Sequence, residues 1–76
     1  MTRKDYVLIA GAIKSVLNVV SEEIDNPNLS DRGRAVLAGE RAGIHGTALR
    51  LADTLRQDNP RFEWKRFMVA CGFDMD

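Results

Sequence analysis

Asn26-Pro27-Asn28-Leu29-Ser30-Asp31 decides the fold of this 76-residue chain. Pro27 pushes Asn26 out of the α region, so a helix arriving from the N-terminal side must stop there. Ser30 suits an N-cap, and Asp31 behind it favours the positive end of a new helix dipole. Long helical patterns flank the break on both sides. They are expected to fold back on each other as an antiparallel hairpin.

Upstream, Thr2 is placed to cap a helix, and Asp5 three residues later resembles the second half of a capping box. Tyr6, Ile9, Ile13, Val16, Leu17, Val20 and Ile24 then recur at helical spacing and form one apolar stripe. Val7, Leu8 and Val19 widen that stripe, which implies burial on two sides. The first helix is expected over residues 3–25. The acids Glu22, Glu23 and Asp25 at its C-terminal end oppose its dipole, a mismatch that Arg32 or Arg34 would offset by pairing.

Downstream, Leu37, Ile44, Ala48, Leu51 and Leu55 mark a second helix over residues 31–57. Gly33, Gly39, Gly43 and Gly46 oppose it, each by about 1 kcal/mol relative to alanine. Two accounts compete: close approach of another helix, since Gly39 and Gly43 lie four apart, or a break at Gly43-Ile44-His45-Gly46. The expectation is a helix that persists to Gln57, bent at the glycines.

Asp58-Asn59-Pro60-Arg61-Phe62 opens a third helix in this reading, with Asn59 or Asp58 as cap and Pro60 at the first helical position. It would run over residues 60–71, with Trp64, Phe67, Met68 and Cys71 on its apolar face. Gly72 suits the left-handed position after a helix, and Phe73 the apolar contact that accompanies it. The fold class is all-α: an antiparallel hairpin with a short third helix folded across it.

So short a chain buries only roughly 60% of the surface its unfolded form exposes, and its stability is marginal. One cysteine and one histidine leave no intrachain disulfide and no zinc cluster. Self-association into a homo-oligomeric helical bundle is the remaining source of stability. Eleven basic and eleven acidic residues give zero net charge, which argues against general binding to duplex nucleic acid. Lys14 and Asn18 interrupt the apolar run from Val7 to Val20, so no membrane span or signal segment is expected. The lone thiol fits a reducing, cytoplasmic setting.

No catalytic constellation stands out. His45 has Glu40, Thr47 and Asp53 in its neighbourhood, but no nucleophile at a recognisable spacing. The chain therefore reads as a non-enzyme that needs no metal or cofactor. Two groups remain as binding candidates. Arg34, Arg41 and His45 share a helix face by steps of seven and four, and their forked donors would suit a nucleotide phosphate. Arg61, Lys65 and Arg66 interleave with Phe62, Trp64 and Phe67, a pattern suited to a protein partner or to a single strand. Against the second group stands the need of so thin a core for those rings.

Met1-Thr2-Arg3-Lys4-Asp5-Tyr6 at the start, and Asp58-Asn59-Pro60-Arg61-Phe62, Arg66-Phe67 and Ala70-Cys71-Gly72 near the end, resemble a group of short bacteriophage and prophage proteins. The glycine-rich middle carries no part of this likeness. The resemblance implies a phage origin and action in the cytoplasm of the host cell, and it carries over no binding residue. Phage proteins of this size without catalytic motifs often act by binding. A counter-defence or host-takeover factor that inhibits a host or defence protein is the leading expectation. The alternatives are a sponge that holds a nucleotide immune signal at an oligomer interface and a nucleic-acid accessory protein.

Overall fold

The computed structural model describes residues 2–75. Three helices follow one another: α1 (Arg3–Ile24), α2 (Asp31–Asp58) and α3 (Trp64–Ala70). Among the described residues there is no strand. The all-α class and the hairpin with a short third helix are therefore as the sequence leads one to expect.

The helix starts form as local chemistry dictates. The Thr2 hydroxyl accepts the Asp5 N–H at 3.4 Å, and the Asp5 carboxylate accepts the Thr2 N–H at 3.0 Å. That reciprocal pair holds the Asp5 carboxyl below its ordinary value of 3.8, first through the Thr2 N–H and then through its hydroxyl. At the second start, the Ser30 hydroxyl accepts the Gly33 N–H at 3.0 Å. Between the two helices, the Arg34 guanidinium reaches back and donates to the carbonyls of Ile24 at 2.6 Å and Asn26 at 3.5 Å. The cation expected to offset the acids at the end of α1 binds the exposed carbonyls there instead. These are the groups a helix C-terminus leaves unpaired.

α2 runs unbroken through all four of its glycines and ends at Asp58. An added Cβ at Gly39, Gly43 or Gly46 would meet nothing within 4 Å, so close packing inside the chain does not account for them. The apolar residues that widen the first stripe, Val7, Leu8 and Val19, remain more than half exposed, contrary to the expected burial on two sides, and Val16 of the stripe itself is 54% exposed.

The start of the third helix differs from the sequence reading. Asn59-Pro60-Arg61-Phe62 is a turn rather than a first helical turn, closed by the Phe62 N–H on the Asn59 carbonyl at 2.9 Å. The Asn59 side chain accepts the Arg61 N–H at 3.1 Å, so asparagine and proline here serve turn chemistry instead of a cap. α3 begins only at Trp64, without a side-chain cap. Its end does follow the sequence. Gly72 adopts φ 101°, its N–H bonds the Val69 carbonyl at 2.9 Å, and the Phe73 N–H bonds the Met68 carbonyl at 3.1 Å. This pair of bonds is the Schellman closure of a helix.

The core lies where α3 crosses the hairpin. Ala10 on α1 and Ala48 and Ala52 on α2 are fully covered, and their small side chains let Phe67, Met68 and Cys71 settle between the helices. The turn delivers Phe62 to the same place, 4.7 Å from the Tyr6 ring and 5.5 Å from the Phe67 ring. Leu17, Val20 and Leu37 continue the seam toward the hairpin turn, beyond the cluster that α3 closes.

Candidate functional site

The two residue groups singled out from the sequence fare differently. Arg34, Arg41 and His45 are strung along α2 over eleven residues, about 16 Å at the helical rise. Arg34 is occupied with the carbonyls at the end of α1. His45 sits half-buried with its ring edge-on to Phe73, centroids 4.7 Å apart. Arg41 is exposed, and its side chain forms no hydrogen bond or ion pair among the described residues. The three do not converge on a common concavity, and none lines either of the two main clefts.

Arg61 and Arg66, by contrast, line one cleft of about 500 Å³. The Asn59–Phe62 turn is responsible: by burying Phe62 it leaves its neighbour Arg61 at the rim. In the first turn of α3, Arg66 lines the same cleft and contacts Glu63 at 3.3 Å. Both partners are about two-thirds exposed, so that pair is weak and open to exchange for an incoming acid. Arg3 completes the basic rim from the first turn of α1. Neither Arg3 nor Arg61 has an ion-pair partner among the described residues.

The floor of the cleft is apolar, with Tyr6, Val7, Phe62 and Phe67. Phe67 is buried, whereas Val7 is 59% exposed. Lys65 takes no part. It points elsewhere, its ammonium 5.7 Å from the centre of the Trp64 ring, and does not line the cleft. Guanidinium forks around an apolar floor are suited to a carboxylate or phosphate attached to something hydrophobic.

Sequence reasoning missed Arg3, Tyr6 and Val7 as members of this site. Nothing in their spacing relates them to Arg61 and Arg66, which lie at the other end of the chain. Only the packing of α3 against the first turns of α1 brings the two together.

Cys71 is fully buried, and burial pushes its thiol above the ordinary value of 9.0. It is held as a neutral packing group, the opposite of an activated thiolate. Among the described residues no three His, Cys, Asp or Glu side chains gather as a metal site would require. No helix described is long and apolar enough to cross a membrane. Compared with known proteins, the chain matches no family model, no curated protein and no solved structure.

Proposed function

We propose that this chain is a non-catalytic, self-associating binding protein that docks an acidic, partly apolar segment of another protein against the Arg3–Arg61–Arg66 cleft. The single observation that carries this reading is the convergence of three arginines from two ends of the chain around an open apolar floor. Buried stability alone does not require it, because the guanidinium groups add nothing to the core. Arginine and aromatic side chains together are also the composition in which binding energy concentrates at protein interfaces.

The likeness of both ends to phage proteins supports a more specific version: a phage-encoded factor in the host cytoplasm that inhibits a host or defence protein by covering its surface. Zero net charge weighs against a nucleic-acid accessory role. A nucleotide sponge built on Arg34, Arg41 and His45 loses ground, since Arg34 is engaged at the end of α1.

The test is affinity capture from host cells with wild-type protein and with the double variant Arg61→Glu, Arg66→Glu. Both substitutions are at exposed positions, so melting curves should stay close to wild type. A specific partner held by the wild type, released by moderate salt and lost in the variant is the expected result. Equal capture by both proteins would falsify the assignment of this cleft. A thermal-shift panel of nucleotides discriminates the sponge: stabilisation that survives the double variant but disappears in Arg41→Ala would replace the proposal.

A further inference from the structure

A second surface lies on the other side of the hairpin. α3 and the Gly72 turn that follows it meet α1 on the side of Tyr6, Ala10, Lys14 and Leu17, whereas Leu8, Ala12, Val16 and Val19 recur roughly half a turn round the same helix. α3 covers the first side only. On the uncovered side, Ala12, Ile13, Val16 and Val20 form one wall of a groove of about 670 Å³, and Gly43, Ile44 and Thr47 form the other. Leu8, Val16 and Val19 are 63%, 54% and 54% exposed. Val36 of α2, 58% exposed, extends the apolar strip toward the hairpin turn.

The molecule exposes more surface than an average globular monomer of its mass. Its accessible area is 5628 Å², about 1,000 Å² more than the roughly 4,650 Å² that size scaling gives a folded monomer of 8.5 kDa. A standard interface removes about 800 Å² from each partner. The radius of gyration is likewise 14.0 Å, where a globular chain of this length has about 11 Å. One interface of ordinary size removes most of the excess area.

Charge selects the occupant. Glu40 lines the groove and Arg50 follows Thr47 of the same wall by three residues; both are exposed, about 15 Å apart along α2, and neither has an ion-pair partner among the described residues. Midway between them the groove has its Gly43 and Ile44 wall. A two-fold axis through that midpoint sets Glu40 of each copy opposite Arg50 of the other. A neutral chain with unpaired charges of both signs so arranged is complementary to itself. Gly43, with nothing within 4 Å of an added Cβ, leaves room for the other copy to come close.

We infer that the α1–α2 groove is the interface of an antiparallel two-fold homodimer, in which a second copy of this chain covers Leu8, Val16, Val19 and Val36 and pairs its Arg50 with Glu40. This inference rests on the self-association in the proposed function and gives it a surface, on the opposite side from the arginine cleft.

Sedimentation velocity across a concentration series from micromolar to about 100 µM tests it, with circular dichroism as the check on folding. Wild type is expected to be a dimer, and Val16→Lys a folded monomer, because Val16 is 54% exposed in the single chain. Glu40→Arg and Arg50→Glu should each raise the dissociation constant at least tenfold, and the double swap should restore it. A wild type that stays monomeric throughout overturns the inference, as does a dimer that Val16→Lys leaves intact. A double swap that fails to rescue overturns the two-fold register. Partner capture through the cleft is read separately with the Arg61→Glu, Arg66→Glu protein, so failure of either proposal is visible on its own.

Discussion

Gly72 shows how much a single residue decides. Its φ of 101° is a conformation that side chains rarely adopt, and an added Cβ would lie 3.0 Å from the Leu17 Cδ2. The left-handed turn directs Phe73 back onto His45 and closes α3 against the hairpin. Gly72→Ala is expected to destabilise the chain by more than about 1 kcal/mol, since backbone strain and contact with Leu17 add. Urea denaturation of the two proteins checks this, and an unchanged midpoint would contradict it. At the other end, Asp5 gives a small pH dependence. Its depressed pKa means that its contribution is present above the ordinary carboxylate value and is lost as the pH falls through the lowered one.

Elements form here by their ends more than by their interiors. Thr2 with Asp5, and Ser30 with the Gly33 N–H, start the two long helices, and Arg34 finishes the first. The interior of α2 is poor by propensity, yet its apolar seam against α1 holds it in one piece. Gly11 on α1 offers a clean measure of such propensity costs. It is exposed, an added Cβ meets nothing within 4 Å, and its position on α1 lies between the side facing α3 and the groove. Gly11→Ala is expected to stabilise the chain by about 0.5–1 kcal/mol, seen as a higher melting temperature. A lower one would mean that some contact at Gly11 matters.

α3 is the element in which sequence and structure part company. Pro60 after Asn59 satisfies the rule for a helix start and equally the rule for a turn. Local chemistry does not separate the two. The Phe62 ring does, because only a turn swings it between Tyr6 and Phe67.

At the scale of the molecule, most of the buried apolar residues gather in one cluster beneath α3. A domain of this length has a total on the order of 4–11 kcal/mol. Met68 is fully buried in the cluster, and truncating a buried methionine costs about 2–5 kcal/mol. Met68→Ala should therefore remove a large share of that total and lower the melting temperature by about 10 °C or more. Circular dichroism is the readout, and a cooperative melt near that of wild type would show that the cluster under α3 matters little. The same thinness of core explains the long shape, 44 × 21 × 18 Å, and the apolar side left open on the hairpin.

The sequence by itself determined the helices and most of their ends, because capping, proline and glycine act over three or four neighbouring residues. The apolar stripes and the buried Cys71 were legible for the same reason: helical period is a local property. It also marked Arg61 and Arg66 as cations near rings, but Lys65 equally, and it could not tell which of them share a cleft. Tertiary structure alone decided three matters. It brought Arg3 and Tyr6 beside Arg61, turned Arg34 from a ligand candidate into a clasp on α1, and set α3 on one side of the hairpin only. Each depends on contacts between residues far apart in the chain, and spacing carries no information about those.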